Sequence, residues 1–320
     1  MPRKLTAINQ LRNRKHDPII KKIIRYKNMY LFLLPALLSA IFFSYKPMVG
    51  IVMAFQDFDI AKGYMRSPFV GFENFQRFLS NPDFYMALRN TLCLSLLSFV
   101  FVFPAPILFA LILNEIKWSR FKKVTQTVSY LPHFISWIVA ATLIQKLLLD
   151  QDMGLVNDII AAFGGSRIGF MREPMWFWPI VIMGGIWKET GWNSIIYLAA
   201  LTSIDAELYE AAKVDGAGRF QRLLHVTLPG IAPTIGLLLV LNVGSLINAG
   251  ANFDAVYNLQ NPLVSSTAYI LEMYAYYEGI TFARYSYATA ITLMQSVVTL
   301  LMVLGANKIY KKLNNGYSAF

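Results

Sequence analysis

The sequence predicts an all-α membrane protein with about six transmembrane helices. Three observations lead there. Apolar runs close to the roughly 20 residues needed to cross a bilayer recur six times. Only 15% of the residues are charged against 56% hydrophobic, with a mean hydropathy of +0.46, whereas soluble domains carry about 25% charged residues. The basic residues also gather in alternate connections between the runs.

The chain begins with a basic arm, residues 1–28. Within it Ile19, Ile20, Ile23 and Ile24 share one helical face, and Lys21, Lys22 and Arg25 share the other. That pattern predicts a helix lying against anionic membrane lipid; a disordered arm is the alternative. The first apolar run, 29–55, is too long for the apolar region of a cleaved signal peptide and reads as a retained span. Further spans are predicted over 88–113, 128–149, 176–201, 231–251 and 287–310. Residues 29–310 then form one transmembrane domain, with a short tail at 311–320. Phe72, Phe75, Phe78 and Leu79 suggest a helix after the first span, lying in the interface or packed on the spans. Tyr274, Tyr276 and Tyr277 read as interfacial anchors in the last outer connection, the other reading being contact with a delivery protein.

Charge sets the orientation. Nineteen of the 29 basic residues lie in the arm, in 117–123 (Lys117, Arg120, Lys122, Lys123), in 213–222 (Lys213, Arg219, Arg222) and near the C-terminus (Lys308, Lys311, Lys312). Six spans place all four segments on one side, which is then cytoplasmic and holds both termini. The other side carries more acids, among them Asp57, Asp59, Asp158 and Glu278. The net charge of +11 thus reflects topology, and no nucleic-acid partner is expected. Cys93, the single cysteine, lies in the second span and reads as packing. His16, His133 and His225 are dispersed and give no metal site; His133, following Pro132, reads as structural.

One loop carries a mechanism. Between spans four and five the chain reads Glu210-Ala211-Ala212-Lys213-Val214-Asp215-Gly216-Ala217, then Leu228-Pro229. Asp205 can cap a helix starting at Ala206. Ala211 and Ala212 make that helix slim, Gly216 permits a tight turn, and Pro229 is expected to break the chain before the next span. A slim helix held rigidly on the cytoplasmic side fits a groove on another protein; an ordinary loop is the plain alternative. In the spans, polar groups at membrane depth point to a cavity. Trp187, Lys188, Glu189 and Trp192 sit in the fourth span, and Asn242, Ser245, Asn248 and Asn252 in the fifth. Aromatic rings beside polar groups suit sugars, and Lys188 suits a carboxylated sugar. An internal Lys188–Glu189 pair and helix-joining polar residues are the competing readings. Gln145 and Lys146 are weaker candidates.

The loop resembles the EAA signature of bacterial ABC importer permeases: E-A-A, two residues, D-G-A, then L-P after about ten more. Gly71-Phe72-Glu73-Asn74-Phe75, Asn90-Thr91, Gly154-Leu155-Val156-Asn157, Leu198-Ala199-Ala200-Leu201 and Tyr285-Ser286-Tyr287-Ala288-Thr289-Ala290 are similar to sugar permeases of that group. The resemblance covers roughly 30–312 and is nearest the polysaccharide-type permeases, maltose-permease-like proteins related to alginate-oligosaccharide importers. Leu259-Gln260-Asn261-Pro262-Leu263 departs from the T-x-G-G-P stretch common before the last span.

This resemblance implies a type I ABC importer permease fold and ATP-driven alternating access for oligosaccharides, including acidic polysaccharide fragments. It implies a cytoplasmic coupling loop, 205–229, with Glu210, Ala211, Ala212, Asp215, Gly216, Ala217, Leu228 and Pro229 facing an ATPase. It also implies a second homologous permease, two ATPase subunits and an extracytoplasmic solute-binding protein as partners. The chain has no phosphate-binding G-x-x-x-x-G-K-[ST] loop, so it is expected not to be an enzyme, with ATP and Mg on the partner ATPase. A permease for a non-sugar solute and an ion-driven secondary transporter are the alternatives; the latter often shows paired broken spans, and no internal repeat is evident.

Overall fold

The computed structural model describes residues 24–149, 154–247 and 253–313. The expected basic-arm helix therefore lies largely outside the described residues, as do Asn248 and Asn252. Twelve helices are used below. They are α1 (Lys27–Phe55), α2 (Glu73–Leu79), α3 (Pro82–Glu115), α4 (Ser119–Tyr130), α5 (Trp137–Leu147), α6 (Leu155–Ala162), α7 (Pro174–Thr202), α8 (Ala206–Val214), α9 (Arg219–Val243), α10 (Phe253–Leu259), α11 (Leu271–Tyr276) and α12 (Tyr285–Leu313).

Among the described residues α1, α3, α9 and α12 are long and apolar enough to cross a membrane, and the bent pair α4–α5 makes a fifth. With 29 residues, α7 is also long enough, at about 43 Å. Its central run from Lys188 to Ser194 is largely polar; Lys188, Gly191 and Ser194 are buried and Glu189 and Thr190 half-buried, while Trp192 and Asn193 are exposed. These six segments match the six predicted spans in order.

The third span is not one helix. The predicted run 128–149 straddles a bend of 103° between α4 with its tight extension through Phe134 and α5. Pro132 lacks an amide hydrogen and cannot continue the ladder. Ser136 then caps the new helix, its Oγ accepting the Val139 amide at 3.4 Å.

Pro229 does not break the chain either. Helix α9 runs continuously from Arg219, so the loop between spans four and five ends at Gly218 instead of 229. The helix widens to a π turn over Leu223–Thr227 just before Leu228-Pro229. The wider turn accommodates the missing proline donor without a break. The same device precedes Pro47 in α1, at Ala40–Tyr45, and Pro104 in α3, at Ser98–Val102.

The segment between the fifth and sixth spans is a buried structure instead of a surface connection. Ala255, Val256, Leu259, Val264, Ala268, Ile270 and Met273 belong to one apolar cluster with Phe177 and Val181 of α7. Asn90, inside α3, donates from Nδ2 to the carbonyls of Ser266 and Tyr269, both at 3.0 Å. Thr91 Oγ1 accepts the Leu271 amide at 2.9 Å. In lipid, packing and hydrogen bonds of this kind replace the hydrophobic drive between helices. Tyr274 is therefore core: it is 1% exposed and accepts a hydrogen bond from Asn81 Nδ2 at 2.9 Å. Phe78 of α2 is likewise buried, so that helix packs on the bundle, while Phe72 stays exposed.

Near the opposite chain terminus, the first half of α1 stands apart. Residues 24–49 are exposed except half-buried Ala40; only the stretch Lys46–Phe55 packs extensively, against α12.

Candidate functional site

A cavity of about 480 Å³ lies among α3, α5, α7 and α9. Its wall combines rings from Phe103, Trp137 and Tyr197 with polar groups from Ser98, Glu189, Asn193, Asn242 and Ser245. Of the sequence candidates, Glu189, Asn242 and Ser245 thus line one space. Asn193, Tyr197 and Trp137 were not singled out by the sequence, although Asn193 and Tyr197 follow Glu189 at the i+4 and i+8 spacing that marks one helical face.

Lys188 is not on that wall. It is 6% exposed; its Nζ donates to the His133 carbonyl at 2.7 Å, lies 3.5 Å from Glu189 Oε1 and sits over the Trp137 ring at 5.8 Å. The expectation that Lys188 meets a substrate carboxylate is corrected to an internal pair, because the ammonium is already enclosed. Glu189 has two partners: its other oxygen lies 2.8 Å from His133 Nδ1. The imidazole stacks flat on Trp192 at 4.7 Å, so Trp192 supports the bend instead of lining the cavity. Trp187 is exposed and outside the cavity wall. Gln145 ties α5 to α10 through the Asn258 carbonyl at 3.0 Å and is also structural. The bend approaches α7 so closely that a Cβ on Gly191 would lie 2.0 Å from the Ser129 carbonyl oxygen.

The loop after α7 folds as its residues suggest. Asp205 Oδ1 accepts the Glu207 amide at 3.0 Å and caps α8. Gly216 turns the chain at φ +78°, a conformation that side chains disfavour. Ala217 closes the turn with an amide hydrogen bond to the Ala212 carbonyl at 2.9 Å. Glu210, Ala211, Asp215 and Gly216 are exposed; Ala212 and Ala217 are half-buried beside a groove of about 290 Å³ that reaches Arg222 and His225. Glu210 has no hydrogen bond or ion pair among the described residues. Val214 and Phe220, 87% and 70% exposed, add apolar surface.

One hydrogen bond ties α8 to α9, and an apolar cluster holds the root of the loop. Tyr209 Oη lies 3.0 Å from Thr227 Oγ1, in the wide turn of α9. Leu228 packs with Leu201, Ile204 and Ile231, while Pro229 is exposed. Since α9 continues to Leu238, Leu241 and Asn242 on the cavity wall, one helix joins the exposed loop to the cavity.

Comparison with known proteins gives a consistent result. The family model described as "Binding-protein-dependent transport system inner membrane component" matches residues 14–315. Protein LplB of Bacillus subtilis (strain 168) is 46% identical over 288 residues, 90% of each chain. The polygalacturonan/rhamnogalacturonan transport system permease protein YteP of the same organism is 43% identical, over 93% of this chain and 92% of the relative. A crystal structure of a bacterial ABC transporter involved in the import of the acidic polysaccharide alginate contains a chain 40% identical with a TM-score of 0.86, covering 93% of this chain and 100% of that one. A second structure, that transporter type with an alginate pentasaccharide-bound periplasmic protein, matches with a TM-score of 0.85 at 40% identity, over 93% and 98%. The chain has the type I importer permease fold and belongs to the family of binding-protein-dependent transport system inner membrane components, as a multi-pass membrane protein.

Proposed function

We propose that this chain is one of the two membrane halves of an ABC importer for oligosaccharides, with acidic polysaccharide fragments as the leading class. The observation that carries the reading is the unbroken α9. Its 25 residues span about 37 Å, starting beside the exposed Glu210 helix and ending at Asn242 on the cavity wall. A push on α8 passes to α9 through the Tyr209–Thr227 contact and then along one helix to the cavity.

In this reading Glu210, Ala211, Ala212, Asp215, Gly216 and Ala217 dock on an ATPase subunit, with Leu228 and Pro229 at the root of the docked element. ATP and Mg belong to that partner. A second homologous permease completes the pore, two ATPases drive it, and an extracytoplasmic solute-binding protein delivers the sugar. The basic end of the bundle and both termini face the cytoplasm. Closure of the ATPases rocks the permease halves between inward- and outward-open states, a rigid-body change about an interface.

The substrate class draws on two supports. Relatives named for polygalacturonan, rhamnogalacturonan and alginate transport align along nearly the whole chain. The cavity sets ring faces from Phe103, Trp137 and Tyr197 beside the amides of Asn193 and Asn242, a mixture that suits sugar faces and hydroxyls. With Lys188 enclosed, acidic sugars would be held here by hydrogen bonds, and charge selection falls to the delivery protein or the other half of the pore.

The test is reconstitution of the complete complex with its solute-binding protein in vesicles. Acidic oligosaccharides should stimulate ATP hydrolysis and accumulate inside. Stimulation by amino acids or phosphate alone would overturn the substrate class, and ATP-independent accumulation driven by an ion gradient would overturn the importer reading.

A further inference from the structure

A second cavity, of about 340 Å³, opens between the start of α5 and α10. Phe253, Tyr257 and Tyr276 line it together with Asp254 and Asn258, and Trp137 and Ile138 face them from α5. Trp137 lines the first cavity as well, so the two spaces meet at one indole.

The three rings form a platform. Phe253 and Tyr257, about one helical turn apart, lie nearly parallel, with centroids separated by 5.5 Å and planes by 24°. Tyr276 of α11 braces both, at 6.0 and 5.7 Å. The opposite face of α10 is anchored. Ala255, Val256 and Leu259 are fully buried, and Gln145 of α5 donates to the Asn258 carbonyl. Tyr257 remains 40% exposed. Rings held rigidly and left open are preorganised for a flat apolar ligand face.

Aromatic side chains of membrane proteins often anchor the chain at the lipid interface. The company these rings keep argues otherwise. Asp254 is exposed beside them, and its carboxylate has no hydrogen bond or ion pair among the described residues. Ionised groups within a membrane bundle face a cavity and not lipid. A carboxylate beside a ring suits a sugar: two neighbouring hydroxyls donate to its two oxygens while the C–H face of the sugar packs on the ring. The first cavity repeats the pairing, with Glu189 beside Trp137 and Tyr197. Among the described residues neither wall carries a lysine or an arginine.

We infer that the platform of Phe253, Tyr257 and Tyr276 is a second sugar subsite, next to the first across Trp137, and that Asp254 makes it a reader of hydroxyls that repels a carboxylate. The inference rests on the oligosaccharide importer reading above. An acidic oligosaccharide then passes with a hydroxyl edge toward Asp254 and its carboxylates turned to the other half of the pore.

The test uses the complete complex with its solute-binding protein in vesicles, supplied with a uronate trisaccharide or its neutral, carboxyl-reduced counterpart. At equal folded yield, Tyr257→Ala should slow accumulation of both by about fivefold, the worth of one ring contact, while Tyr257→Phe stays near wild type. Asp254→Asn should raise the rate for the uronate relative to the neutral sugar by about fivefold, the scale of one exposed charge interaction. With Ile138→Cys in a Cys93→Ala chain, maleimide labelling of this chain should slow during turnover with sugar and not with the sugar-free binding protein. Labelling that ignores sugar, or wild-type transport by Tyr257→Ala, would overturn the subsite. An unchanged ratio for Asp254→Asn would overturn its selection against carboxylates. A wild-type complex that accumulates neither trisaccharide would overturn the oligosaccharide reading and the subsite with it, before any variant is made.

Discussion

Glu189 holds the ring of His133 across the bend between α4 and α5, with Oε2 2.8 Å from Nδ1. The adjacent Lys188 holds the backbone of the same histidine at 2.7 Å. Two consecutive residues of α7 thus grip both ends of one residue at the bend, and one of the two also faces the cavity. The grip links the shape of the third span to the state of the cavity wall.

Lys188→Met should be the more damaging change at this point. It leaves Glu189 short of a charge partner and the His133 carbonyl without its donor, and an acceptor left unpaired in the interior costs about 1–3 kcal/mol. A large loss of folded protein in fluorescence-detected size exclusion is expected. Glu189→Gln keeps a hydrogen-bonding side chain, so the complex should assemble while the transport rate falls and its dependence on substrate concentration changes. Equal folded yields for Lys188→Met and wild type would refute the grip.

Gly191→Ala places a methyl group against the Ser129 carbonyl oxygen, only 2.0 Å away. Overpacking of this kind costs about 1–3 kcal/mol, and α4 must move off α7. The expected result is a lower melting temperature of the detergent-solubilised chain, with Gly191→Val worse than Gly191→Ala. Gly305, beside which a Cβ meets nothing within 4 Å, is the matched control and should tolerate alanine.

Asn157 is fully buried and makes three hydrogen bonds, to the Leu149 carbonyl and to both backbone groups of Ile168. Asn157→Leu leaves those groups unpaired, at about 1–3 kcal/mol for each one left buried. Limited proteolysis should then cut between α6 and α7, where the wild-type chain resists.

Glu210→Lys bears on function alone. The side chain is exposed and without an internal partner, so stability should change by less than about 0.5 kcal/mol. Co-purification of the ATPase should nevertheless be lost, together with transport. Retention of both would remove α8 from the coupling path.

The order of the six spans, the Asp205 cap and the Gly216 turn were legible in the sequence because each depends on neighbours a few residues away. The bend was not. A window of apolar residues sums over 128–149 regardless of direction, and Pro132 with Ser136 weighs little in that sum. Pro229 misled for a related reason: whether a proline ends a helix or is absorbed by a wider turn depends on what packs around it. The cavity was half visible. Glu189, Asn242 and Ser245 stood out as polar residues in apolar runs, but their companions Trp137 and Tyr197 look like ordinary span aromatics. Following Pro132, His133 reads as structural, and its contacts support that, yet nothing local announces that it meets Glu189 56 positions away. The burial of Tyr274 was hidden in the same way, since its partners are Asn81, the cap of α3, and Tyr287 on α12.

The wide turns ahead of Pro47, Pro104 and Pro229 each store one residue more than a regular helix needs over the same rise. The proline that follows each turn pins the surplus where it is, because a regular ladder has no room for the ring there. Residues beyond the turn sit about 100° out of the register that a regular helix would give them. Which side chains these helices present to the interior and which to lipid is therefore set by where the three prolines stand.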